Sequence, residues 1–125
     1  MSPAADSPID LTELLKLGDA TSDDSRPNFV HDIIELFLQI APDIYETARA
    51  AVNDGDGRSL ASATHKLKSQ AAYFGAQRMS TVCRQLEELG HSGSMKRAEH
   101  LIDQLEDELD RVVAALQPHR FEPPG

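Results

Sequence analysis

The first candidates for nucleophilic or metal chemistry are five histidines and one cysteine. Cys83 falls on the apolar stripe of its predicted helix and reads as a buried, inert thiol rather than a nucleophile. A lone cysteine also excludes an intrachain disulfide and a multi-cysteine zinc site. His31 near a helix start, His91 in a loop and His119 in the tail read as solvated surface residues. His100 has Asp103 one turn on, but no His-x-x-Glu-His or paired Glu-x-x-His pattern supports a metal there. The run Asp54-Gly55-Asp56-Gly57 has the look of a calcium loop, yet no glutamate follows at the required spacing, so it reads as a turn. No Gly-rich loop ends in Gly-Lys-Ser/Thr, and no ATP site is visible.

His65 stands apart. Its helix buries a stripe centred on Leu67, and counting 100° per residue puts His65 at about 160°, nearly opposite the core. The same outward face carries Arg58, Ala61, Ser62, Ser69 and Ala72, with Lys68 flanking. Apart from Arg58 these neighbours are small, where a surface helix normally carries long Glu, Lys or Arg. Small neighbours leave an imidazole nitrogen reachable by another protein. A neutral imidazole nitrogen is a competent nucleophile near neutral pH. Lys68, one turn on, can lie beside any anionic group bonded to the ring.

Charge points the same way. Residues 1–56 hold 12 acidic and 3 basic groups, and residues 87–125 hold 9 and 4. Between them, residues 57–86 hold Arg58, Lys66, Lys68, Arg78 and Arg84 and no acid. A chain of net charge −9 thus reserves one basic stretch around His65, suited to an anionic group and an acidic partner. Its overall acidity argues against nucleic acid or an anionic membrane as partner.

The elements that must position these residues are helical. In 125 residues, enough for one domain, 40% are hydrophobic and only 5% aromatic, so the core is built from Leu, Ile, Val and Ala. Apolar residues recur at helical spacing throughout, and no segment alternates with period two. Ile9, Leu11, Leu14 and Leu15 predict a short first helix that Gly18 caps, followed by a polar loop over Asp19–Pro27. A long pattern from Phe29 to Val52 contains Pro42, which should kink or restart it. Asp56 is placed to cap the helix that carries His65 and runs to about Phe74. Met79 to Leu89 lines a further helix that Gly90 can end, and His91–Ser94 forms a tight connection. Met95 to Leu116 predicts a last helix of roughly 35 Å, stopped by Pro118. The expected fold is all-α: an up-down antiparallel four-helix bundle over residues 9–117 with a short additional N-terminal helix. Residues 1–8 are expected to be flexible and residues 118–125 a disordered tail. The longest run free of charged residues, Ser69–Gln77, is far shorter than the roughly 20 residues a membrane span needs. Met1–Asp10 has no basic n-region, so no export signal is read and the expected location is cytoplasmic.

The segment His65-Lys66-Leu67-Lys68-Ser69-Gln70-Ala71-Ala72-Tyr73-Phe74-Gly75-Ala76 resembles the signature of histidine-containing phosphotransfer (HPt) domains. Leu36-Phe37, Ala41-Pro42, Gly55-Asp56 and Cys83…Leu86-Glu87 fall in register with it, so the resemblance spans roughly residues 9–117. It implies that His65 accepts a phosphoryl group, that Lys68 neutralises its oxygens and that Glu87 faces the imidazole. It also implies a phosphorelay carrier rather than an enzyme with turnover. The phosphoryl group comes from a receiver-domain aspartate and passes to another, the partners being response regulators and hybrid histidine kinases. No cofactor is expected in this chain, and Mg²⁺ is expected on the receiver. The docking surface would combine Arg58, Ala61, Lys66, Ser69, Ala72, Arg78 and Arg84. Ser69 and Gln70 depart from the usual Gly and Ser/Ala. Gln70 is expected to turn away from the ring as a hydrogen-bonder between helices. A monomer is the default state. The competing readings are a helical adaptor without chemistry, for which His65 is dispensable, and the phosphoryl-accepting part of a larger kinase.

Overall fold

The computed structural model describes residues 7–21 and 29–120, the side chains of 17–21 and of Phe29 excepted. Its elements are α1 (Thr12–Thr21), α2 (Phe29–Asp54), α3 (Gly57–Tyr73), α4 (Gln77–Ser92), α5 (Ala98–Leu116) and a 3₁₀ turn (Gln117–His119). Consecutive helices α2 to α5 pack on one another through short turns, and α2 closes the bundle against α5. Short connections between neighbours make this an up-down antiparallel four-helix bundle, with α1 as the additional N-terminal helix.

The stripe chemistry explains the bundle. Leu60, Leu67, Leu86, Leu105 and Leu116 are fully buried, each contributing about 1.5–3 kcal/mol by leaving water. Phe37 and Phe74 meet edge-on with centroids 4.9 Å apart, joining α2 to the end of α3. The buried Thr64 hydroxyl donates to Leu60 O at 2.7 Å, so the core polar group is satisfied within its own helix. Pro42 does not restart α2, which runs unbroken because Ile34, Phe37, Ala41, Tyr45 and Ala48 continue one buried stripe through it. Gly18 does not cap α1 either; the helix passes through it to Thr21, at the roughly 1 kcal/mol that an interior glycine costs. Of the expected loop over Asp19–Pro27, residues 19–21 are helical instead, and residues 22–28 lie outside the described residues.

Three glycines follow helix ends in the left-handed region: Gly55 at φ 68°, Gly75 at φ 60° and Gly93 at φ 76°. At Gly75 a side chain would also meet the backbone of Asp10, whose N–H donates to Phe74 O at 2.7 Å. The segment before α1 is thereby tied to the α3–α4 turn. Helix α5 starts at Ala98 rather than Met95 and is about 28 Å long. Beyond it, the Arg120 guanidinium returns to α2, with Nε 2.8 Å from Glu35 Oε1. Of the expected terminal segments, residues 1–6 and 121–125 lie outside the described residues. Among the described residues no helix is long and apolar enough to cross a membrane.

Candidate functional site

The Asp56 carboxylate caps α3, accepting from Ser59 N at 3.1 Å, and this sets the start and phase of the helix that carries His65. The His65 side chain is 59% exposed, and Leu67 beneath it is fully buried. Helix α4 brings Glu87 across to it. Glu87 Oε2 lies 2.9 Å from His65 Nδ1, and Glu87 Oε1 accepts from Lys68 Nζ at 2.7 Å. One carboxylate, only 16% exposed, therefore holds both the imidazole and the ammonium.

Lys68's hydrogen bond, ahead of the one from His65, keeps the Glu87 carboxyl below its usual 4.5 against the opposing effect of desolvation. The sign follows: the ionised tether is complete above the ordinary carboxylate value and is lost as pH falls through the lowered one. Carbon-13 titration of the Glu87 side chain should give a midpoint below 4.5, moving back towards it in Lys68→Ala. An unmoved midpoint in the variant would remove Lys68 as the main cause.

When the ring is neutral and Glu87 is ionised, this contact places the imidazole proton at Nδ1 and leaves the Nε2 lone pair free. An exposed imidazole oriented by a carboxylate is an arrangement that can serve covalent group transfer. Cys83 offers no rival, since burial pushes its thiol up to about 12.

An open hollow of about 610 Å³ lies beside the ring. Ala61 and Gly90 form its floor, and Arg58, Lys66 and His91 rim it. The floor is a close crossing of α3 and α4. A Cβ on Gly90 would come within 2.5 Å of Gly57 O, and one on Gly57 within 2.4 Å of Gly90 O. Gly90 is thus an interior residue of α4, required by contact rather than as a helix end, and α4 continues to Ser92.

The expected docking residues divide. Arg58, Lys66, Ser69 and Ala72 are exposed on α3, and Ser69 Oγ donates to His65 O at 3.2 Å. Arg84 borders a depression with Lys68. Ala61 is not on the outer face; it is 4% exposed because α4 crosses over it at Gly90. Arg78 lies on the other side of α4, in a groove with Arg97 and His100, since nine residues before Glu87 is about half a turn round the helix axis. Gln70 joins no helices by a hydrogen bond, and its buried Oε1 has no partner among the described residues. His91 belongs to the last turn of α4 rather than a loop, with Nε2 3.8 Å from Glu87 Oε2. Its spacing of four from Glu87 was the available signal. Among the described residues Lys66 and Arg84 form no close ion pair, and Arg58 acts on the Asp56 cap carboxylate only at longer range, so the face around His65 is rich in positive charge.

The sequence profile of the Hpt domain matches residues 32–115, two thirds of the chain. The chain belongs to the Hpt domain family. A curated relative, Histidine-containing phosphotransfer protein 2 of Arabidopsis thaliana, is 28% identical over 109 residues, covering 85% of this chain and 67% of the relative. The crystal structure of histidine-containing phosphotransfer protein B (HptB) from Pseudomonas aeruginosa PAO1 shares the fold of this Hpt domain. It superposes with a TM-score of 0.80 over 96% of each chain at 23% identity. This Hpt domain is a phosphorelay carrier in two-component signalling, a family whose members carry phosphoryl groups rather than act as kinases and work with receiver domains.

Proposed function

We propose that His65 is the phosphoryl acceptor of this carrier and that Nε2 is the atom that bonds phosphorus. The 2.9 Å contact between Glu87 and His65 Nδ1 carries the reading, because it leaves the opposite nitrogen unprotonated on a ring 59% exposed. In the receiving step, Nε2 attacks the phosphorus of a receiver's aspartyl phosphate in line. The Nε2–P bond forms as the P–O bond to the aspartate breaks, and the freed carboxylate stays with the receiver. The donating step reverses this with a second receiver, in a response regulator or a hybrid kinase. Lys68 places positive charge beside the phosphoryl oxygens, and Glu87 keeps the Nδ1 proton in place throughout. This chain is assigned no cofactor, and Mg²⁺ belongs to the receiver side. Arg58, Lys66 and Arg84 attract the acidic surface of the partner, so association slows as salt is added. The protein acts as a cytoplasmic monomer.

Incubation with a phosphorylated receiver tests the reading. Label should reach the wild type and reach Lys68→Ala about 10–100-fold more slowly, the loss expected for one hydrogen bond to a charged group. Lys68 is 31% exposed, so the bundle should keep its melting temperature. An unchanged transfer rate in the variant would remove Lys68 from the site.

A further inference from the structure

One titratable side chain in the hollow beside His65 has no part in the transfer step as proposed. His91 is 71% exposed, and its Nε2 lies 3.8 Å from Glu87 Oε2, the same oxygen that meets His65 Nδ1 at 2.9 Å. Two imidazoles therefore face one carboxylate oxygen while Lys68 holds the other. From α3 the hollow receives Arg58 and Lys66 as well as His65, from α4 Glu87 and His91, and no described residue of α5 lines it. With His65 unmodified, Arg58 and Lys66 place two positive charges at the hollow, and Glu87 is already offset by Lys68. A phosphoryl group brings about 1.5–2 negative charges to this place and reverses the balance.

We propose that His91 is a second imidazole of the phosphoryl site, a positioning residue that takes up a proton as His65 becomes phosphorylated. The inference rests on His65 being the acceptor. As the Nε2–P bond forms and the P–O bond to the partner's aspartate breaks, His91 takes a proton from water in a larger share of molecules. Its positive charge then faces the phosphoryl oxygens and Glu87 Oε2 together, holding the carboxylate towards the His65 ring. The phosphorylated state binds the extra proton, so a fall in pH moves the transfer equilibrium towards this protein.

The test is the equilibrium of transfer between the full chain and one phosphorylated receiver, at about pH 6 and about pH 8, where imidazoles change charge. Wild type is compared with His91→Gln and His91→Lys, so that the receiver's own pH dependence cancels in the ratios. The wild-type constant relative to His91→Gln should rise about threefold to tenfold at the lower pH, the effect of a half-unit to one-unit difference in proton affinity. His91→Lys, charged at both values, should match the wild type at the lower pH and exceed it at the higher. A ratio of wild type to His91→Gln that is equal at both pH values overturns the proposal while leaving labelled His65 in place. A His65 that takes no label in any of the three proteins overturns the acceptor assignment, and this inference with it.

Discussion

His65→Gln takes no phosphoryl label from any receiver that labels the wild type, and it stays folded. The ring is 59% exposed and fills no part of the core, so truncation opens no cavity. A glutamine side chain can still offer an N–H to Glu87, which keeps the carboxylate partnered. What disappears is the only nitrogen at this position with a free lone pair. Melting within about 2 °C of wild type is expected, because exposed substitutions away from caps and cores rarely move stability far. Residual label in the folded variant would place the acceptor elsewhere.

Gly90→Ala should destabilise the bundle and slow transfer together. In an open helix interior the same change would stabilise by about 1 kcal/mol, since alanine is the better helix former. Here the new Cβ meets Gly57 O at 2.5 Å, Ala61 N at 2.9 Å and Ala61 Cβ at 3.0 Å. Two of the three are backbone atoms, and no rotamer change relieves them. The C-terminal half of α4 must move off α3, at the roughly 1–3 kcal/mol typical of overpacking. Glu87 lies one turn back on α4, so the 2.9 Å contact to His65 opens as the helices part. Thermal melting reads the sign directly: a higher melting temperature for Gly90→Ala would contradict the close crossing.

Periodicity made most of the bundle legible before any coordinates. The buried stripes through Phe37, Leu67, Leu86 and Leu105, the Asp56 cap and the outward face of His65 all follow from spacing along one helix at a time. Glycine was where that reading faltered. Gly55 and Gly75 fall at the expected boundaries and have positive φ, as does Gly93, but Gly18 and Gly90 also read as helix ends and are helix-interior; Gly90 serves a backbone crossing that only the tertiary arrangement reveals. Ala61 was misplaced for a related reason. A wheel centred on Leu67 assumes one buried direction, but α3 packs against both α2 and α4, and its buried arc is wider. Arg78 and Arg84 share a basic window in sequence and part company in space, because a count of charges carries no helical phase. His91 was read as a loop residue because α4 was ended one turn early.

On the proposed reading one atom, His65 Nε2, carries the phosphoryl group. The most direct test is to load the wild-type protein from a phosphorylated receiver and map the label to a residue and a ring nitrogen, by peptide mass analysis and nitrogen-15 resonance. The expected result is one acid-labile, base-stable phosphoryl group on His65, bonded at Nε2, with Nδ1 still protonated towards Glu87. Label on another residue, or on Nδ1 of His65, would contradict it.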